Sequence, residues 1–192
     1  MAFSAGVDST ALFFILMEYN IDFDIAIVDY GLRKESLDEV VYAQSLAKKY
    51  DKKVFVKKIY NIKGASFEKQ ARDGRYRFFE EIIYQNSYNN LITAHHLNDK
   101  LEWFLMQFTK GAGIVELIGL DNISKRDNYN LIRPLLYISK NELLEYLDKN
   151  SIKYFVDKSN FSDKYRRNIF RKIANPMIDE YKDAIVKSFN YL

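Results

Sequence analysis

Cysteine is absent from the 192 residues. Its absence excludes disulfides, thiolate zinc sites, iron–sulfur clusters and any persulfide relay carried by this chain. No stretch approaches the ~18 uncharged apolar residues that a membrane span requires. The opening Met1-Ala2-Phe3-Ser4 shows neither a charged n-region nor a cleavable apolar run, which points to a cytoplasmic protein and away from a membrane. A large excess of one charge sign is lacking as well. The net value is +3, which by itself indicates no nucleic-acid partner, so the placement of the charges has to carry that argument. What is present is an ordinary globular balance of 48% hydrophobic and 29% charged residues, with 14 Phe and 15 Tyr to fill a core. The length suits one large domain or a domain with a small appendage.

Short apolar runs alternate with helical periodicities. Residues 25–29 read as a buried strand, 54–56 as another and 91–94 as a third, separated by helical patterns over 11–16, 40–47, 67–84 and 97–108. Such alternation predicts an α/β fold, an open and mainly parallel sheet with helices on both faces. A stub of strand precedes Ser4. In a sheet of this type that strand is central, so it is either unusually short or continued by residues upstream. The pattern changes between 111 and 130, which holds three of the seven glycines. We therefore expect a core over 1–120 and a small helical extension over 121–192. Within the extension, Ser139 and Glu142 have capping-box spacing, and a basic helix is expected around 165–173.

The first candidate site is a turn of small residues between a short strand and a helix, Ser4-Ala5-Gly6-Val7-Asp8-Ser9-Thr10. Backbone N–H groups at a helix start have no intrahelical acceptor, and the helix dipole favours an anion there. Small residues let a phosphate approach the backbone. The segment lacks the Gly-Lys-Ser/Thr ending of a Walker loop. An N-capped helix start with no ligand is the alternative. The second is the end of the next strand, where Asp29-Tyr30-Gly31-Leu32-Arg33 brings Asp29 to the crevice side of an α/β sheet.

The third is Thr93-Ala94-His95-His96-Leu97-Asn98-Asp99-Lys100-Leu101-Glu102. At ~100° per residue, Leu97, Leu101, Phe104, Leu105 and Phe108 share one face and Asp99 and Glu102 the opposite one. Two carboxylates three residues apart repel mildly, and a bound cation relieves this. Lysine would supply an ammonium and an apolar stem. A divalent metal is the rival, and a solvated acidic edge the plain alternative. The last is the run from Lys164 to Lys172, with five basic residues and no acidic one. It reads as an RNA-phosphate contact or as a solvated helix face.

Taken in order, these segments resemble a known family. Ser4-Ala5-Gly6-Val7-Asp8-Ser9 is similar to the Ser-Gly-Gly-x-Asp-Ser loop of the PP-loop pyrophosphatases, which cleave ATP between its α and β phosphates and adenylate a substrate oxygen. Ala5 stands where that loop has glycine, a methyl tolerable with negative φ and a Cβ turned away from ATP. Ala71-Arg72-Asp73-Gly74-Arg75-Tyr76-Arg77, the paired histidines with Asp99 and Glu102, Arg133-Pro134-Leu135, Asp157-Lys158-Ser159-Asn160 and Arg167-Asn168-Ile169-Phe170-Arg171 together resemble the lysidine synthase branch. Tyr30 replaces the usual histidine, and Lys100 and Trp103 replace glutamine and threonine.

The resemblance implies that Ser4, Ala5, Gly6, Val7, Asp8, Ser9, Thr10 and Asp29 hold ATP. Asp8 is the expected protein ligand of the accompanying Mg²⁺. It implies catalytic roles for Arg75 on phosphate, for His95 near the nucleotide, and for Asp99 and Glu102 on free L-lysine. Arg133, Arg166, Arg167 and Arg171 are expected on the RNA, a transfer RNA for isoleucine with a CAU anticodon. The implied reaction joins lysine to C2 of the wobble cytidine through an adenylated intermediate. Two other readings stay open, a transfer RNA thiolase and a non-catalytic RNA-binding module on the same scaffold. A homo-oligomer is compatible with the sequence.

Overall fold

A computed structural model describes residues 1–31, 35–59, 67–156 and 166–192. Strand β1 (Ala2–Phe3) leads into helix α1 (Val7–Glu18), followed by β2 (Ile25–Asp29), α2 (Glu35–Lys49), β3 (Val54–Lys58), α3 (Phe67–Asn86), β4 (Asn90–Ile92) and α4 (Leu97–Phe108). A short α5 (Ile114–Ile118), β5 (Ile123–Lys125), β6 (Asn130–Ile132), α6 (Lys140–Lys149) and a long α7 (Arg166–Tyr191) complete the order.

Strands β1, β2 and β3 form one parallel sheet in that order, with Ala2 opposite Ala26 and Ile27 opposite Val56. Strand β6 pairs parallel with β4 and antiparallel with β5 in a second three-stranded sheet. The parallel, two-faced α/β architecture is as expected, but the ladder is divided into two sheets. The two-residue β1 is paired to β2, and no ladder joins β1 to β4 among the described residues.

Alternation along β2 sorts the two faces, because successive strand side chains point to opposite sides. Ile25 and Ile27 enter a core with Phe13 of α1, Ala43 and Leu46 of α2, and Leu143 and Leu147 of α6. Ala26 enters the other core, with Phe78, Phe79, Ile82 and Ile83 of α3, Leu91 of β4 and Leu131 of β6. Residues from 121–192 thus pack into both of these cores.

Helix α6 starts at Ser139 with a reciprocal cap: Ser139 Oγ accepts from Glu142 N at 3.3 Å and Glu142 Oε2 accepts from Ser139 N at 2.7 Å. A third cluster joins α4 to α7 through Leu97, Leu101, Ala174, Ile178 and Phe189. The Lys100 ammonium, on a buried side chain, lies 4.8 Å from the centres of both the Tyr137 and Phe189 rings. Asn98 fixes the same junction, donating to Asn175 Oδ1 at 2.9 Å and accepting from Lys140 N at 3.0 Å. The basic helix expected over 165–173 is the first part of α7, which continues past Pro176 and has one non-helical residue, Tyr181.

Candidate active site

Strands β1, β2 and β4 end at one crevice, and the residues after them form its wall. Ser4 follows β1, Tyr30 follows β2, and Thr93, Ala94 and His95 follow β4. With Asp8, Ser9, Arg75, Tyr76, Asp99 and Arg167 they line a cleft of about 280 Å³. This is the position that open α/β sheets use for ligands, beyond the carboxyl ends of the strands.

The phosphate loop is tied to itself. Gly6 is the N-cap of α1, and Ser9 Oγ accepts from Ser4 N at 3.1 Å and lies 3.1 Å from Ser4 Oγ. No side chain caps the helix start, so its first amides have no side-chain acceptor. Ala5 has φ +58° and is fully buried. The expected negative φ is therefore wrong. The residue takes the left-handed conformation that explains a glycine at this place in the family loop, and its methyl packs into the core behind the loop. Val7 and Thr10 are buried too, Val7 within the first core. Of the loop, Ser4, Asp8 and Ser9 line the cleft.

Asp29 requires a second correction. It is 3% exposed, does not line the cleft, and accepts the Gly31 N–H on Oδ1 at 2.8 Å. Its carboxylate closes the turn after β2, where Gly31 adopts φ +62°. Tyr30 takes the cleft position instead. Burial is the main influence raising its phenol pKa, and the neighbouring Arg75 guanidinium partly opposes it. Arg75 itself is exposed on α3 at the cleft wall.

His96 connects the nucleotide side to the acidic side. The residue is 5% exposed, with Nε2 3.6 Å from Asp8 Oδ1 and 3.4 Å from Asp99 Oδ2. The His96 N–H also donates to Asp99 Oδ2 at 3.1 Å. His95 points into the cleft, with Nδ1 2.9 Å from Thr93 Oγ1. Burial is the largest cause that lowers its pKa to about 4, against the pull of Asp99 and with help from Arg133, Arg167 and Arg75. Its imidazole is neutral at neutral pH. Burial pushes the Asp99 carboxyl upward, but His96, His95, Arg167 and the His96 N–H more than offset that and hold it well below the carboxylate range.

The acidic pair is not a solvated edge. Glu102 is 2% exposed. Arg167 Nε donates to Glu102 Oε1 in a close ion pair, Arg167 Nη2 to Asp99 Oδ1 at 3.2 Å, and Arg171 Nε to Glu102 Oε2 at 3.4 Å. The arginines expected on RNA thus face the carboxylates expected on lysine. Arg133 is corrected as well. It is 5% exposed and Nη1 donates to Asp121 O at 2.7 Å and Ser124 Oγ at 2.8 Å, so its guanidinium braces the segment entering β5. Trp103 donates to Glu116 O at 2.9 Å and packs on Gly119, where an added Cβ would meet the indole nitrogen at 2.3 Å. It docks α5 away from the cleft lining. Leu32, Arg33, the Asp157-Lys158-Ser159-Asn160 run, Tyr165 and the Arg166 side chain lie outside the described residues.

In the sequence reading His96 has no role of its own and Lys140 is not reached. The adjacency of His95 and His96 hides which of them turns inward, and the position of His96 as N-cap of α4 settles it. Lys140 Nζ lies 3.8 Å from Asp8 Oδ1 and nothing in the local sequence marks it.

A Ser-x-Gly-x-Asp-Ser turn seated on β1, with an arginine and a strand-end histidine across a shared crevice, defines a nucleotide-binding α/β domain. The chain belongs to the PP-loop domain family, whose match covers residues 1–178. Over its full length it is similar to the tRNA(Ile)-lysidine synthases of Campylobacter jejuni strain RM1221, at 48% identity and 60% of that protein's length, and of Helicobacter pylori strain ATCC 700392 / 26695, at 48% identity and 56% of its length. The chain therefore spans less than two thirds of these relatives. Among solved structures it is similar in fold to the U34-tRNA thiolase NcsA from Methanococcus maripaludis with its 4Fe–4S cluster. The TM-score is 0.75 at 18% identity, covering all of this chain and 70% of the other.

Proposed function

We propose that this domain carries the catalytic centre of a cytoplasmic tRNA(Ile)-lysidine synthase. It uses ATP to join lysine to C2 of the wobble cytidine in the CAU anticodon of the minor isoleucine transfer RNA. The observation that carries the reading is the single imidazole of His96 in reach of Asp8 and Asp99. Asp8 and Asp99 also line one cleft, which supports a phosphate site facing an amine site. The similarity to named lysidine synthases supports the same reading. The absence of cysteine from these residues favours it over sulfur transfer.

In this reading the α1 amides and the Ser4 and Ser9 hydroxyls seat the phosphates, and Arg75 neutralises charge that develops as the cytidine C2 oxygen attacks the α-phosphorus and pyrophosphate departs. The lysine ε-amine then forms the new C2–N bond, AMP leaves with the C2 oxygen, and the amine loses its proton. Asp99, held ionised, binds the ammonium and is poorly suited to take the proton. The proton passes to the neutral imidazole of His95 in the same wall and from there to water. Mg²⁺ fits as a companion of ATP. Asp8 Oδ1 accepts no hydrogen bond among the described residues, and no group of three or more His, Cys, Asp or Glu there could hold a metal alone. One carboxylate plus substrate phosphates is an ordinary Mg²⁺ arrangement, in which the ion neutralises phosphate charge.

The test is pyrophosphate release and lysine incorporation with ATP, labelled lysine and minor isoleucine transfer RNA. Both should depend on all three substrates. Pyrophosphate release without retained lysine would reject the reading in favour of another PP-loop transferase. No release by folded protein that still binds the RNA would leave a binding module.

A further inference from the structure

Glu102 cannot receive a substrate amine as it stands. Its carboxylate is almost wholly buried, and its two oxygens meet Arg167 on one side and Arg171 on the other. Arg167 also reaches Asp99, whose second oxygen meets the ring and N–H of His96. Both arginines project from the first turns of α7, which is held on α4 farther along by Ala174, Ile178 and the Asn98–Asn175 bond. The first turns can therefore move without loss of the main helix contact. A guanidinium satisfied by a carboxylate is equally satisfied by a phosphate, because both offer paired anionic oxygens to its fork of donors.

We propose that the Arg167–Arg171 turn is a latch on the amine site, opened when RNA backbone phosphates take the two guanidiniums from Asp99 and Glu102. This rests on the lysine-joining reading above and adds its order. RNA binding exposes the carboxylates, and lysine enters after it. Without RNA, the site is filled by its own cations and does not hold free lysine. Each arginine trades a carboxylate for a phosphate, and the substrate ammonium then enters between the two exposed carboxylates.

Equilibrium dialysis of labelled L-lysine against the full chain tests this, with α,β-methylene-ATP in every arm so that no reaction occurs. A CAU anticodon stem-loop RNA, whose own binding is read in parallel, is present or absent. In wild type the RNA should tighten lysine binding at least ~10-fold, an ordinary size for coupling between sites. Arg171→Gln frees Glu102 Oε2 and leaves Arg167 in place, so it should bind lysine without RNA more tightly than RNA-free wild type, and RNA should tighten it less than it tightens wild type. Equal lysine affinity in wild type with and without RNA overturns the latch and leaves the lysine reading intact. Undiminished tightening by RNA in Arg171→Gln overturns it as well. No lysine binding in any arm, with RNA and nucleotide bound, rejects the lysine reading and the latch with it. Should Arg171→Gln fail to fold, amide exchange in wild type decides. RNA should lower protection over residues 167–172, and unchanged or raised protection refutes the latch.

Discussion

Replacing Arg133 with methionine separates a structural arginine from an RNA-binding one. Its guanidinium makes two short hydrogen bonds, to Asp121 O and Ser124 Oγ, and its Nε is buried without a partner. Hydrogen bonds from a charged group contribute ~1.5–3 kcal/mol each, and an unsatisfied buried donor costs ~1–3 kcal/mol. Methionine loses the two bonds, relieves the orphaned Nε and keeps the apolar stem, for a net loss of about 2 kcal/mol. In a chain of this size each kcal/mol moves the melting temperature by ~2–4 °C, so Arg133→Met should melt about 4–8 °C lower. Affinity for an anticodon stem-loop, measured below that melting point by filter binding, should change less than about 2-fold, since a 5% exposed side chain offers no donor to a phosphate. An unchanged melting temperature with a tenfold loss of RNA affinity would refute this and return Arg133 to the RNA surface.

Arg75→Ala should slow pyrophosphate release ~10²–10³-fold with little change in melting temperature, as expected for one exposed cation facing developing charge; wild-type rates would remove the role. Asp99→Asn should raise the KM for lysine at least ~10-fold while adenylation, read as pyrophosphate release at saturating lysine, falls less. His95 protonates at about 4 in the folded chain against an ordinary 6.5, so on acidification the unfolded chain takes the proton first. Its contribution is full above pH 6.5 and is lost as pH falls toward 4, by up to about 3 kcal/mol, and His95→Gln should flatten that part of the urea-midpoint profile. For Ala5→Gly, relief of left-handed strain at ~1–2 kcal/mol is opposed by ~0.8 kcal/mol for the buried methyl and ~0.4–1 kcal/mol of unfolded-chain entropy. The variant should stay within about 1 kcal/mol of wild type by urea unfolding, and a loss above ~2 kcal/mol would place the methyl's packing over the backbone.

The fold was legible where a local rule has no competitor. Helix α4 begins and ends where its apolar spacing does, and the Ser139–Glu142 pair marks the start of α6 because both halves of the reciprocal cap lie within four residues. The division of the strands into two sheets was not legible, since it depends on which edges meet in space. Motif and strand-end position brought Ser4, Asp8, Arg75, His95 and Asp99 to the crevice, and all five line it. The same signals were misleading for Asp29 and Arg133, because a charged residue at a strand end can turn inward as easily as outward. Asp29 found the Gly31 amide, and Arg133 found Asp121 and Ser124. The basic start of α7 is the clearest case. Residue type showed that it would seek anions, but the nearest anions are 65 and 69 residues earlier in the chain, on Glu102.

The phosphate loop shows how the two ends of the chain are made to depend on each other. A left-handed alanine is an uncommon conformation that persists only when surrounding contacts over-determine it. Here the restraint is supplied from far along the chain: Phe155 N donates to Ala5 O at 2.9 Å, and Phe155 bridges Gly6 in parallel. The same segment follows α6, whose Leu143 and Leu147 fill the core beneath Phe13 of α1. At α6's other end, Lys140 reaches Asp8 and its amide is held by Asn98 of α4. The loop that would seat a triphosphate is thus shaped by residues 140–155, and the acidic pair across the cleft is capped by residues 167–171. The later part of the chain contributes contacts to both walls of the cleft.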